Sequence, residues 1–262
     1  IRLARAGREV VLIDREPPPR DKLCGEFLSP ESAADLADLG LSSELTRRGA
    51  PRIRRARFTV PSGRASSFDL PGPGRGLSRL ALDEMLWQRA EAVGVQTLVG
   101  EVLEVAQPPA FEGVELGMAE GAAWPRLRAR WLVAAHGRHR RLDRALEGDA
   151  PRGDLRRYAG LKRHHLASAE LARELDDHVE IHVFSGGYCG MSHIEGGRVN
   201  VCALVDTRWL RAQRDRTWPA LFRAMAAEQP QLEARRRDLV PAPDRTLQTV
   251  GAVDLQRRRA VA

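Results

Sequence analysis

Hydrophobic and polar residues follow patterns that predict a mixture of strands and helices. An apolar run at 10–13 ends on an acid, Asp14, and predicts a buried strand. Residues 179–184 alternate strictly between apolar and polar and predict a half-buried strand. Helical spacing, in contrast, joins four apolar residues after the predicted cap Ser78, namely Leu82, Leu86, Ala90 and Val93.

Turn signals between these runs predict further elements. Residues 52–69 alternate around a turn at 61–63 and predict a β-hairpin, and the prolines and glycines at 71–74 predict a linker after it. Ser29 before a proline predicts a helix start, and Gly7 predicts the end of an opening helix. Strands are expected at 94–105, 111–116, 127–135, 158–164 and 198–205, and helices at 31–39, 167–175, 209–216, 218–228 and 230–237.

Composition limits the class of protein. A chain of 262 residues, 43% of them hydrophobic, is long enough for a substantial core in one large or two smaller domains. No apolar run reaches the roughly 18 residues of a transmembrane helix, so none is expected. Three widely spaced cysteines argue against a disulfide framework and predict a reducing, cytoplasmic location. No paired cysteine or histidine spacing predicts a metal site.

The balance of charge is basic. The net charge is +7, and arginine supplies nearly all of the positive charge because the chain has only two lysines, Lys22 and Lys162. A basic chain is typical of nucleic-acid-binding proteins, and this alternative stays open. The arginines are scattered among acids, however, and do not line one face together with aromatic residues. That arrangement indicates that the arginines lie on solvent-exposed faces of the protein, and we expect no nucleic-acid partner.

The segment from Asp14 to Glu26 carries the clearest chemical signal. An acid at the tip of a buried strand is placed to accept hydrogen bonds from the two ribose hydroxyls of an adenosine. Three prolines at 17–19 interrupt regular structure, and RDKLCGE follows at 20–26. This combination resembles the superfamily of p-hydroxybenzoate hydroxylase-like flavoproteins and geranylgeranyl reductases, whose members carry a similar R-x-K-x-C-G-E segment after the ribose acid.

The resemblance implies an α/β (α+β) fold, in which an incomplete Rossmann-like FAD-binding domain carries an inserted antiparallel-sheet substrate domain. It assigns 1–50 and 74–150 to the FAD-binding domain and 51–73 and 151–245 to the substrate domain, with 246–262 returning towards the FAD-binding domain. The family layout also leads us to expect a G-x-G-x-x-G turn upstream of the first residue and a G-D segment downstream of the last, so that the chain would be a fragment truncated at both ends.

A second similarity lies at 79–86, where R-x-x-L-D-x-x-L matches a family helix whose arginine reaches the phosphates or the ribitol of the flavin. In the same family, backbone at the position of Val102 contacts the adenine, and Gly137 belongs to an A-D-G segment in which His136 here replaces the acid. The resemblance thus implies FAD as cofactor and NAD(P)H as reductant. The implied cofactor-binding residues are Asp14, Arg15, Arg20, Lys22, Cys24, Gly25, Arg79, Val102 and Gly137.

Residues on the substrate side also match. Gly186, Gly187 and Tyr188 resemble the start of a family segment, G-G-Y-x-W-x-F-P, that lines the substrate cavity against the flavin, and Gly190 and His193 replace its tryptophan and proline. Glycines suit backbone that approaches a flat ring, although a bulge or tight bend explains them equally well. No catalytic nucleophile or base can be assigned; Cys24 lies near the flavin in the resembled reductases, while its residue type alone suits a small buried position.

The sequence therefore predicts an FAD-dependent oxidoreductase. It would use NAD(P)H to reduce a double bond in, or to hydroxylate, an apolar or aromatic small molecule. Besides the nucleic-acid-binding alternative, a non-catalytic fragment that binds no flavin stays open. The oligomeric state cannot be derived from the sequence.

Overall fold

A computed structural model of the chain describes residues 1–108, 111–137 and 157–254. The helices are α1 (Arg2–Arg5), α2 (Pro30–Asp38), α3 (Ser42–Arg47), α4 (Arg79–Ala92), α5 (Ala169–Glu174), α6 (Thr207–Ala212), α7 (Trp218–Ala227) and α8 (Pro230–Arg237), with a short 3₁₀ helix at Glu195–Gly197. The strands are β1 (Val11–Asp14), β2 (Phe27–Leu28), β3 (Arg52–Thr59), β4 (Ala65–Gly76), β5 (Gln96–Val99), β6 (Val102–Ala106), β7 (Val114–Met118), β8 (Arg126–Ala129), β9 (Arg157–Ala167), β10 (His178–Phe184), β11 (Gly187–Ile194), β12 (Arg198–Asp206), β13 (Leu239–Pro241) and β14 (Gln248–Asp254).

The described residues form two compact units. The first contains 1–18, 87–108 and 111–137, and the second contains 19–86 and 157–254. This division differs from the predicted domains, since 19–50, 74–86 and β14 pack in the second unit with the hairpin of β3 and β4. The assignment of FAD and substrate to separate domains stays a prediction, and its portions at 138–156 and 255–262 lie outside the described residues.

The first unit contains a parallel pair of strands. β1 pairs with β5 from Val11 opposite Gln96 to Asp14 opposite Val99, which confirms the predicted strand before the acid. Gly7, with a φ of 74°, follows α1 in the left-handed conformation that glycine adopts readily. β6, β7 and β8 form a separate antiparallel sheet. The predicted strand at 127–135 is wrong beyond Ala129, where β8 ends.

The second unit is built on a large sheet, in which the described strands follow the order β13-β9-β12-β11-β10-β3-β4-β2 and β14 also pairs with β9. All its pairs are antiparallel except the parallel pair of β10 with β3. The period-2 alternation of β12 directs Val199, Val201, Ala203 and Val205 into one core. That core also contains apolar side chains of α7, including Trp218, Leu221, Phe222 and Met225. The predicted α/β fold is confirmed.

A second core lies where α2, α3 and the start of α4 meet. Leu36, Leu45 and Met85 are buried there, together with Leu77 just before α4. The hydroxyl of Ser29 accepts a hydrogen bond from the Ser32 amide at 3.4 Å, which confirms the predicted helix cap. These contacts pack the helices that follow the 20–26 segment against one another.

One expectation about the second unit needs correction, and one of its strands was not predicted. The predicted linker at 71–74 is wrong, because these residues lie within β4. The register of β4 with β3 shifts between Ile53 and Arg55, and the prolines fall in this irregularity, where a missing N–H interrupts no regular pair. β14 was not expected at all. None of the helices in the described ranges combines the length and apolar character required to cross a bilayer.

Candidate functional site

Asp14 stands at the carboxyl end of β1, as the sequence predicts. Its side chain is half-buried, and its Oδ1 lies 3.5 Å from the amide nitrogen of Glu16. The carboxyl ends of parallel strands are where open α/β sheets bind nucleotides. An ionised carboxylate presents only acceptors, so this group fits the two donor hydroxyls of a ribose. The contact with ribose itself stays a prediction.

Three further predicted residues belong to the same unit. Arg15 is exposed directly after the strand, and Val102 opens β6 opposite Met118. Gly137 is exposed with a φ of 72°, a conformation that favours glycine. A small pocket of about 80 Å³ is lined by both Val99, the strand partner of Asp14, and Met118, the strand partner of Val102.

In the second unit, Asp83 brings two predicted cofactor-binding residues together. Lys22 Nζ lies 2.6 Å from Asp83 Oδ2, and Arg79 donates from Nε and Nη2 to the same carboxylate at 2.8 and 3.0 Å. Burial opposes ionisation of Asp83, but the hydrogen bonds from Arg79 and Lys22 hold its pKa below the ordinary value. For Arg79, partial burial is outweighed by Asp83 and by the nearby Cys24, which together raise its pKa.

A buried ion cluster that the sequence analysis missed lies beneath this segment. Glu26 is 1% exposed, and its Oε1 accepts hydrogen bonds from Lys162 Nζ at 2.7 Å and from the Arg79 amide at 2.9 Å. Its Oε2 lies 2.6 Å from His164 Nε2. Lys162 Nζ also donates to the Lys22 carbonyl at 2.9 Å and to the carboxylate of Asp21. All three ammonium hydrogens therefore have acceptors.

This cluster ties the 21–26 segment to the sheet. Lys162 and His164 stand two positions apart on β9 and so face the same side, towards Glu26. Glu26 itself has a φ of 54°, which is unusual for a residue other than glycine and marks the sharp turn into β2. The sequence gave only a weak signal for this cluster. Glu26 ends the 20–26 motif and Lys162 is one of two lysines, but no pattern links residues that are 136 positions apart.

The remaining residues of the motif differ in their surroundings. Arg20 is half-buried, whereas Gly25 is exposed and a side chain there would meet no atom within 4 Å. Cys24 is half-buried, its carbonyl accepts a hydrogen bond from Asn200 Nδ2 at 3.1 Å, and its sulfur lies 3.4 Å from the Glu26 amide nitrogen. Burial, reinforced by Cys24, raises the pKa of Cys202 to about 12, so that thiol is no nucleophile.

Gly186 and Gly187 are required by packing inside the unit. A side chain at Gly186 would overlap the indole ring of Trp209. One at Gly187, where φ is 150°, would overlap the carbonyl of Leu204 on the neighbouring strand. The flat ring that Gly186 approaches is thus one of the chain's own. Tyr188 is 42% exposed on β11 and stays available for substrate, a role that is still a prediction.

No set of three or more histidine, cysteine, aspartate and glutamate side chains is arranged to hold a metal within the described ranges. Several arginines there pair with acids. Arg235 contacts buried Glu180 at 3.0 Å, and Arg126 and Arg128 both contact Glu115, at 2.5 and 2.7 Å.

Known proteins that resemble this chain indicate which fold it shares. No family model matches the chain. It is 35% identical over 150 residues to the menaquinone reductase of Mycobacterium tuberculosis (strain H37Rv), a match that covers 55% of this chain and 35% of that protein. The matched region thus spans about a third of the curated relative.

Solved structures match nearly the whole chain. CmlS, a flavin-dependent halogenase, superposes with a TM-score of 0.81 at 17% identity, covering 95% of this chain and 46% of that one. The myxobacterial chondrochloren halogenase CndH, a variant of the FAD-dependent halogenases, gives a TM-score of 0.75 at 23% identity, covering 95% of this chain and 60% of that one. At these identities the likeness shows a shared fold, that of flavin-dependent enzymes.

Proposed function

We propose that this chain is part of a cytoplasmic FAD-dependent oxidoreductase that acts on an apolar small molecule with NAD(P)H as reductant. The observation that carries the proposal is the half-buried carboxylate of Asp14 at the carboxyl end of a parallel strand pair. The likeness to flavin-dependent enzymes over 94% or more of the chain supports it.

The residues of the first unit fit the nucleotide half of the cofactor. Asp14 accepts hydrogen bonds from the ribose, and Arg15 and Gly137 lie exposed for contact with the cofactor. The backbone of Val102 contacts the adenine, next to the pocket lined by its strand partner Met118. When bound, FAD supplies the redox chemistry, and the protein orients the cofactor and limits its access to water.

The residues of the second unit fit the phosphates and the flavin. Arg79 uses two of its five N–H groups on Asp83 and also contacts Cys24, so we propose that the rest of its guanidinium contacts an anionic phosphate. Lys22 adds a second cation, and Arg20, Cys24 and Gly25 contribute the rest of the segment. The buried contact of Glu26 with Lys162 fixes the backbone of this segment in place, which preorganises its binding groups.

Reduction is the reaction we favour. The 35% identity to a protein named menaquinone reductase supports reduction of the substrate rather than hydroxylation. Gly187 and Tyr188 at the start of β11 lie on the substrate side, with the exposed tyrosine ring as the contact group.

Cofactor binding by the full 262-residue chain tests this proposal. The purified protein is mixed with excess FAD and passed over a desalting column, and the visible flavin absorbance of the protein fraction is compared with its protein content. We expect retained FAD that approaches one equivalent. A well-folded protein that elutes colourless contradicts the proposal and favours the non-catalytic alternative.

A further inference from the structure

Residues 76–79, which lead from β4 into α4, are held on one side by Glu26. The Leu77 amide donates to the Glu26 carbonyl at 3.0 Å, and the Arg79 amide donates to Glu26 Oε1 at 2.9 Å. Glu26 belongs to the buried ion cluster and is only 1% exposed, so it offers these two amides a fixed partner. The start of α4 is thus attached directly to the 20–26 segment.

The end of β11 holds the same residues from the other side. A side chain at Gly76 would overlap the carbonyl of His193, so only glycine allows the two backbones to approach this closely. Glu195, which directly follows β11, places both oxygens of its carboxylate on Ser78. Its Oε2 accepts a hydrogen bond from the Ser78 amide at 2.8 Å, and its Oε1 accepts one from the Ser78 hydroxyl. Ser78 is 2% exposed and Glu195 is half-buried, so this contact is shielded from water.

The contact of Glu195 goes beyond what a local helix cap requires. Ser78 already caps α4 by itself, because its hydroxyl oxygen accepts a hydrogen bond from the Ala81 amide at 3.2 Å. Glu195 is 117 positions away from Ser78 and fixes both the backbone and the hydroxyl of that cap. The Ser78 and Arg79 amides are therefore occupied by carboxylates, and the group with which the start of α4 can reach an anion is the Arg79 side chain.

The position of the Arg79 guanidinium depends on the first turn of α4. Arg79 is the first residue of the helix and directly follows Ser78. Its guanidinium pairs with Asp83, one turn further along the same helix, at 2.8 and 3.0 Å. Because both ends of this pair belong to α4, a shift of the helix start moves the guanidinium with it. A binding group must lie within about 0.5 Å of its productive position, so such a shift weakens its contact with a ligand.

We propose that Glu195 is a positioning residue for Arg79. By holding Ser78, it sets the first turn of α4 relative to the end of β11, and so sets the place at which the guanidinium meets a flavin phosphate. This inference rests on the proposed function, in which Arg79 contacts a phosphate. Gly187 and Tyr188 begin the strand whose end carries Glu195, so the same contact fixes the arginine relative to the predicted substrate side.

FMN and riboflavin, which differ by one phosphate, test the positioning role. Both are titrated into the full chain, and binding is followed by quenching of flavin fluorescence. We expect the wild type to prefer FMN about tenfold or more, as a charge-assisted hydrogen bond to the phosphate predicts, and Arg79→Met to lose this preference. Glu195→Ala should lower the preference about three- to tenfold by weakening FMN alone, because only FMN depends on the place of the guanidinium. A purely structural role would weaken both ligands equally.

Two further variants separate the contact from the charge. Glu195→Gln should keep the preference for FMN, since its amide oxygen can accept from the Ser78 amide while its nitrogen donates to the Ser78 hydroxyl oxygen. The matched control Glu170→Ala removes an exposed carboxylate from the first turn of α5 and should change the affinity for neither ligand. If Glu195→Ala does not fold by circular dichroism, Ser78→Ala, which removes the hydroxyl that Glu195 holds, replaces it with the same expected result.

The positioning role is overturned if Glu195→Ala weakens FMN and riboflavin equally or weakens neither, or if Glu195→Gln behaves like Glu195→Ala. Equal wild-type affinity for the two ligands, or binding of neither by a folded wild-type chain, also overturns it. The column experiment with FAD is read separately. A chain that retains FAD without preferring FMN to riboflavin contradicts this inference and keeps the proposed function. A chain that retains no FAD contradicts the proposed function, whereas a preference for FMN that Glu195→Ala lowers would still support the positioning role.

Discussion

Removal of the buried ammonium of Lys162 should be among the most destabilising single substitutions near the candidate site. Lys162→Met keeps an unbranched side chain, one atom shorter, but leaves Glu26, itself 1% exposed, without the ammonium of Lys162. Asp21 loses the same partner. Breaking a buried ion pair by removing one partner costs about 3–5 kcal/mol, since an uncompensated charge stays buried. This is a large part of the roughly 5–15 kcal/mol by which a domain is stable.

Urea unfolding followed by tryptophan fluorescence measures this cost. Lys22→Met is the matched control, because it removes the chain's other lysine, whose side chain is 30% exposed in its contact with Asp83. The control should lose less than about 1 kcal/mol. In the double variant Lys162→Met/Glu26→Gln the buried charge is gone, and part of the loss should be recovered.

The reasoning is refuted if Lys162→Met and Lys22→Met lose equal stability, or if neutralising Glu26 in the Lys162→Met background recovers nothing. Either result would show that the Glu26 carboxylate is not held by the ammonium in the folded chain.

Two further substitutions test the sheet unit. Burial opposes ionisation of Glu180, but His182 and Arg235 lower its pKa from 4.5 to about 2. The ionised carboxylate therefore stabilises the folded chain above pH 4.5, and this contribution is lost as the pH falls towards 2. Glu180→Gln should therefore be less stable than the wild type by about 3 kcal/mol at neutral pH, and a difference in urea unfolding that does not shrink in acid would contradict this. Gly187→Ala should lower the free energy of unfolding by about 1–3 kcal/mol in the same assay, because the φ of 150° at this position favours glycine. Gly25→Ala, at an exposed position, should leave the free energy of unfolding nearly unchanged. Equal losses in the two variants would contradict the requirement for glycine at 187.

Sequence patterns predicted those elements of the fold that depend on interactions between residues close together in the sequence. The apolar run before Asp14 forms β1, which ends at that residue, although the strand is only partly buried and Leu12 is 38% exposed. The cap at Ser29 and the left-handed Gly7 follow from hydrogen bonding and sterics within a few residues. α8 was predicted at the bounds that the structure shows, 230–237, between its proline start and the following strand.

The parts that could not be predicted depend on contacts between distant positions. No spacing rule relates Glu26 to Lys162 or His164, so the sequence could not predict the buried cluster, although Glu26 lies in the 20–26 motif and Lys162 in a predicted strand. The 19–50 stretch, which the sequence analysis assigned to the FAD-binding domain, belongs to the same compact unit as the large sheet, and Glu26 contacts β9 there. The sequence left two explanations open for Gly186, a nearby flat ring or a tight bend, because it could not show that the indole ring of Trp209 lies where a Gly186 side chain would be.

The central claim is that Asp14 holds the adenosine ribose of FAD, and one comparison tests it most directly. FAD and FMN, which lacks the adenosine, are titrated into the wild-type chain and into Asp14→Ala, and binding is followed by quenching of flavin fluorescence. Loss of a charge-assisted hydrogen bond of about 1.5–3 kcal/mol predicts that the substitution weakens FAD about 10- to 100-fold and leaves FMN unchanged. Equal affinity of the two proteins for FAD, or no binding of FAD by a folded wild-type chain, would contradict the account.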